Sequence, residues 1–108
     1  EERLRDITEI VLPPGPSDDP NHFDVYQNYE IEADRRDDLR ESLKGNGIGT
    51  IIQWSGKAVH QWPGLGFSVQ LPNTEAFFTR CMMVPMNMVI CDEDVEYICS
   101  KIRAFYGK

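Results

Sequence analysis

No run of apolar residues approaches the roughly 20 needed to cross a bilayer, so no membrane span is expected. The opening residues Glu1 to Arg5 are charged where a secretory leader needs an apolar centre. With no initial methionine either, the expectation is a piece of something longer. Basic residues are scarce: 11 Lys and Arg face 18 Asp and Glu, for a net charge of −7. That balance argues against nonspecific nucleic-acid binding, which needs a basic footprint, and against an anionic membrane surface as partner. Cysteine is limited to Cys81, Cys91 and Cys99, an odd set without paired spacing. A disulfide framework is therefore not expected, and a reducing cytoplasm suits the set better. Only His22 and His60 supply imidazole, far apart and without cysteines at ligand spacing, so no metal constellation is read. No strong nucleophile motif occurs. What remains is a 108-residue chain, 41% hydrophobic and 27% charged, ordinary for one globular domain with a modest core.

Leu4, Ile7 and Val11 fall at helical spacing, and Ile10-Val11-Leu12 could instead be a short strand; a helix end turning extended near Thr8 is favoured. Pro13, Pro14, Pro16 and Pro20, with Gly15 and Asp18-Asp19, make an exposed loop. From Phe23 to Ala33 apolar and polar residues alternate with period two, the pattern of a half-buried strand. Gln27 falls on its apolar face, read as a satisfied sheet-end amide or as a group facing a ligand. Asp34 offers an N-cap for a short helix, Arg35 to Lys44, with Leu39 and Leu43 on one face. Gly47 is its expected left-handed stop. Gly45, Gly47 and Gly49 are not a phosphate loop, because they follow a helix and open a strand. That next strand is read over Ile48 to Ile52.

Trp62 to Phe67 reads as a cover over one end of the core. Asn73 is taken as the N-cap of a further helix, with Glu75 in its first turn. A strand follows over Met82 to Met88, interrupted or at an edge because Pro85 has no N–H. It holds all four methionines, as core packing or as an interface to a missing domain. The last helix starts on Asp92-Glu93-Asp94, with Cys91 or Asp92 at its cap. Val95, Ile98, Cys99, Ile102, Phe105 and Tyr106 form its apolar stripe, making Cys99 a core thiol. The order strand, helix, strand, loop, helix, strand, helix predicts an α+β two-layer fold. About three mainly antiparallel strands carry helices packed on one face.

Gln53, Trp54, Lys57 and His60 bring an amide, an indole, an amine and an imidazole to one strand end, a mixture found nowhere else in the chain. A rigid element presenting such groups is a candidate ligand edge; the plain alternative is ordinary solvated polar residues.

The run Tyr29 to Thr50, the segments Gln53-Trp54-Ser55 and His60-Gln61, and then Leu71-Pro72-Asn73-Thr74-Glu75, Met83-Val84-Pro85-Met86 and Asp92-Glu93-Asp94-Val95 stand in a fairly specific order. Together, over residues 4–106, they resemble the C-terminal part of nucleotide-sugar aminotransferases of the DegT/DnrJ/StrS type. The resemblance implies residues 1–21 as an interdomain helix end and Pro-rich loop, and 22–108 as the C-terminal small domain. The family uses pyridoxal phosphate to move an amino group, usually from glutamate, onto a nucleotide-linked keto-sugar, in cytoplasmic homodimers. Its Schiff-base lysine lies in a large N-terminal domain, in a Ser-x-His-x-x-Lys-like context that Lys44, Lys57, Lys101 and Lys108 all lack. The fragment is thus expected to bind no cofactor and to be inactive alone, its partners being that large domain and the nucleotide-sugar. By position, Gln53 and Trp54 match a His-Tyr pair of the family and His60 a later histidine, which implies contacts to sugar or nucleotide. Lys57 could meet a diphosphate. Gln53, Trp54 and Ser55 depart from the family's His-Tyr-Pro, which implies a less common substrate. The competing class is a free-standing small-ligand-binding or interaction domain without catalysis.

The stripe of the last helix makes one expectation sharp. Burying six side chains at about 1.5–3 kcal/mol each contributes on the order of 10 kcal/mol before entropy. Deleting residues 92–108 is expected to abolish the cooperative thermal transition in circular dichroism; a retained transition would show that the core closes without them.

Overall fold

In a computed structural model, residues 2–108 are described. Three antiparallel strands form one sheet in the order β1-β2-β3: β1 Ile10–Val11, β2 Tyr29–Ala33 and β3 Cys81–Val84. Three helices accompany them: α1 Arg36–Gly45, α2 Pro72–Arg80 and α3 Asp92–Tyr106. The expected α+β architecture is thus observed. Alternation along β2 turns Ile31 and Ala33 inward, and the register sets Met82 opposite Ile31. These three join Leu39 and Leu43 of α1 and Ile98 and Ile102 of α3 in one core. Among the described residues, no helix is long and apolar enough to cross a membrane.

The strands differ from the sequence reading, each for a local reason. Residues 2–6 are turns rather than a helix end. Leu4, Ile7 and Ile10 succeed one another through i→i+3 bonds, Ile7 N–H to Leu4 O and Ile10 N–H to Ile7 O. That spacing still buries all three side chains. The strand expected from Phe23 begins only at Tyr29. The last β2–β3 pair is Tyr29 with Val84, and Pro85, next in line, has no N–H to continue the ladder. Upstream, Asp24 Oδ1 accepts the Tyr26 N–H in a local turn, Tyr26 is left-handed, and Phe23 is 90% exposed. Gln27 lies outside the strand and is exposed. The same proline ends β3 early, leaving Met86 and Met88 on the surface while Met82 fills the core.

No strand forms over Ile48 to Ile52. Ile48 enters the core, and Ile51 alone pairs with Met83, through N···O contacts of 3.1 and 2.8 Å. The helix starts are also reassigned. Arg35, left-handed, precedes α1 in place of Asp34, whose N–H bonds Glu9 O beside β1 and whose carboxylate meets Arg80 at 3.1 Å. Leu71 precedes α2 in place of Asn73, with Pro72 at the first helical position. Cys91 occupies the cap of α3, its N–H bonded to Asp94 Oδ2 at 3.1 Å. Gly47 is left-handed as expected, and Ile48 N–H returns to Leu43 O.

Charge ties the first turns to the last helix. Arg103 donates from both terminal nitrogens to Asp6, at 2.6 and 2.8 Å, and to Arg3 O. The bidentate guanidinium holds the Asp6 carboxyl down at about 2. A depressed carboxylate stabilises the fold above its unfolded value near 3.8, and that contribution is lost as pH falls toward about 2. Asp6→Asn is therefore expected to lower the urea midpoint at pH 6 and to flatten its fall below pH 4. An unaltered acid profile would show that the pair does not couple to folding.

Candidate functional site

Beyond Ile51 the chain leaves the sheet edge and builds a cluster of short turns: Gln53–Gly56, Val59–Gln61 and Pro63–Leu65. Trp54, Ser55 and Gly56 are left-handed in succession, with φ of 53°, 57° and 71°. Glycine adopts that conformation freely, but side-chain-bearing residues seldom do. The run reverses the chain sharply, closes on the Lys57 N–H to Trp54 O bond at 3.2 Å, and leaves the Trp54 indole 71% exposed.

The chain then folds back along α2. Buried Ala58 anchors it, its N–H donated to Gln61 Oε1 at 2.9 Å. Between the turns and α2 lies an open groove of about 590 Å³. Trp54, Lys57 and His60 line it together with Trp62, Phe67 and Phe78. The Lys57 ammonium sits 5.5 Å from the centre of the Trp62 ring, a cation–π arrangement. The His60 side chain is enclosed, 7% exposed, with Nε2 2.9 Å from Glu75 Oε1. The same carboxylate oxygen accepts the Leu71 N–H at 2.9 Å. The Leu71 amide first and His60 second hold the Glu75 carboxyl below its usual range.

Of the four sequence-predicted site residues, the structure brings Trp54, Lys57 and His60 to one groove. Gln53 is turned elsewhere: its Nε2 lies 3.0 Å from Met83 Sδ, on β3. The residues missed are the apolar wall and one carboxylate. Trp62 and Phe67, expected from sequence to cover the core, are both exposed, with Leu65 and Val69 beside them. Turn-rich aromatic sequence without periodicity was the available signal, and an exposed apolar wall of this kind marks a surface for ligand or protein. The sequence marks Glu75 only as a helix-start charge; its pairing with His60, fifteen residues away, leaves no trace in the pattern. Among the described residues, no group of three or more His, Cys, Asp or Glu side chains could hold a metal ion.

This fold and sequence have clear relatives. The profile of the DegT/DnrJ/EryC1/StrS aminotransferase family matches residues 1–103, and the chain belongs to that family. It is 31% identical over 104 residues to a pleiotropic regulatory protein of Geobacillus stearothermophilus, covering 93% of this chain and 27% of that protein. Among solved structures it is similar to a DegT DnrJ EryC1 StrS aminotransferase from Brucella abortus. There identity is 30% and the TM-score 0.83, over 99% of this chain and 28% of that one. The aminotransferase TlmJ from Streptoalloteichus hindustanus shares the fold with a TM-score of 0.86 at 22% identity, over 98% of this chain and 28% of that one. The chain thus spans little more than a quarter of the length of these relatives.

The left-handed run can be tested directly. An L-residue there costs about 1–2 kcal/mol, and glycine's extra unfolded-state entropy cancels about 0.5–1 kcal/mol of any relief. Ser55→Gly is expected to stabilise the fold by about 0.5–1 kcal/mol, read as a higher urea midpoint. An unchanged or lower midpoint would mean that Ser55 is not held in that conformation.

Proposed function

We propose that this chain is the C-terminal small domain of a pyridoxal-phosphate aminotransferase that moves an amino group from glutamate onto a nucleotide-linked keto-sugar. Residues 1–21 would lead in from the large N-terminal domain, and 22–108 would form the small domain. The parent would be a cytoplasmic homodimer. The observation that carries this reading is the gathering of Trp54, Lys57 and His60 in one aromatic-walled groove, within a family match extending over residues 1–103.

The residues present do not fit the cofactor itself. A Schiff-base lysine is desolvated in a closed pocket. Here Lys44 approaches Glu41, Lys57 lies over Trp62, Lys101 over Tyr97, and Lys108 approaches Glu9. None of the four is buried. The cofactor therefore belongs to the rest of the parent enzyme, and the fragment alone would be inactive. Its own contribution is to the substrate. Trp54 offers an exposed aromatic face for a base or sugar ring, Lys57 an ammonium for a diphosphate, and His60 a fixed imidazole for a sugar hydroxyl. Gln53, held on Met83, supports the turn that presents Trp54.

The test uses the full-length protein containing this segment. It should show the visible band of protein-bound pyridoxal phosphate, shifting when glutamate is added. His60→Ala should lower turnover of the nucleotide-sugar about tenfold or more, the scale of one lost hydrogen bond at a site that must leave its partner unpaired, with the band retained. A colourless protein that still folds would overturn the enzyme reading and favour a ligand-binding module centred on the same groove.

A further inference from the structure

Glu75 stands apart from the other acids of the chain. Most of these are exposed, and their bonds stay within a helix start or run to surface arginines. Glu75 instead reaches across to a different segment and holds the one enclosed imidazole of the groove. Its own position is doubly determined. It lies in the first turn of α2, where the helix dipole favours negative charge. It also accepts the N–H of Leu71, the residue preceding that helix. A carboxylate fixed in this way accepts only, so the proton between the two side chains resides on His60 Nε2. In the neutral ring that leaves Nδ1 as a bare lone pair. Among the described residues, Nδ1 has no hydrogen-bond partner, although the side chain lines the groove.

We propose that Glu75 is a positioning residue that locks His60 as its Nε2–H tautomer, so that Nδ1 serves as an acceptor for a hydroxyl of the ligand in the groove. This rests on the reading of the groove as the sugar-nucleotide site. It adds what that reading leaves open: the polarity of the imidazole and the residue that sets it. The ligand group facing His60 must be a donor. A ligand with a carbonyl or ether oxygen at that place would meet lone pair against lone pair and be rejected. The aromatic walls give area and the Lys57 ammonium gives charge, but neither distinguishes hydroxyl from carbonyl. The His60–Glu75 pair does.

The test has two readouts on the full-length protein. In ¹⁵N imidazole spectra recorded at a pH where a titration shows the ring neutral, with His60 assigned from the His60→Gln difference, Nδ1 should appear unprotonated and Nε2 protonated in the wild type. Glu75→Gln, which preserves shape but can donate as well as accept, should give a mixture of tautomers. A protonated Nδ1 in the wild type overturns the proposal whether or not the variant folds, and so does a single unchanged tautomer in a folded Glu75→Gln. In steady-state turnover, Glu75→Gln should raise KM for the nucleotide-sugar about tenfold, as for one hydrogen bond lost. KM for glutamate and the cofactor band should not change, and in a His60→Ala background the substitution should add nothing further. Equal effects on both substrates, or full additivity with His60→Ala, would reduce Glu75 to a structural acid and overturn the proposal. A parent without cofactor would sink the enzyme reading, while the nitrogen spectra would still decide the role of Glu75.

Discussion

The antiparallel pairing of β2 with β3 fixes everything that surrounds it. With Ile31 opposite Met82, the alternation of β3 sends Met82 into the core and leaves Met83 half-buried on the other face. The Met83 backbone then receives Ile51 and its sulfur meets Gln53, and the whole succession of turns to Leu65 hangs from that edge. A slip of one residue would exchange the two methionines and release Ile51. The same register positions α2, because Arg80 runs directly into Cys81 without a loop. Arg36 reinforces the junction, its Nη1 donating to Phe78 O and Cys81 O, carbonyls at a helix end with no partner in the helix. Glu75 therefore stands at a height set by the sheet, and so does the imidazole it holds.

Elements governed by local rules could be read from the residues alone. The acids at the start of α3 and its repeating stripe, the Leu39 and Leu43 face of α1, and the left-handed Gly47 need no knowledge of distant segments. Strand limits could not be read, because a strand ends where its partner does. Phe23 and Val25 alternate as well as Ile31 and Ala33, but they have nothing to pair with once Pro85 ends β3. Ile48, Ile51 and Ile52 have strand composition, but only one bridge is available to them. For the site, the polar cluster from Trp54 to His60 was visible as an unusual mixture of groups. Its apolar wall and its carboxylate were not, since they depend on α2 folding back beside it.

Left-handed residues occur at Tyr26 and Arg35 and apolar exposure at Phe23 and Met88, but among the described residues only at the groove do two left-handed non-glycine residues follow one another beside exposed rings. The core end is closed by fully buried aliphatic side chains, whereas the groove end carries two left-handed non-glycine residues and a set of solvent-facing rings. Such conformations persist where the surroundings hold them, and they occur most often where a surface meets a ligand. Neither the left-handed turn nor the exposed rings lower the free energy of this domain by themselves. The buried side chains of β2, β3, α1 and α3 supply the stability of the domain.

The bond between Arg103 and Asp6 spans 97 positions in sequence, and Leu4 and Ile7 share their core with Ile98 and Ile102. On the ribosome these partners emerge at opposite ends of the segment's synthesis. β2 can meet β1 and α1 early, but the core around Ile31 and Ala33 is incomplete until β3 and then α3 have been made. Closure of this domain thus waits for the last of its own elements, governed by contacts of long sequence separation. A nascent chain stalled before α3 would display an aliphatic face and an unpaired strand edge, the features that invite chaperones or aggregation.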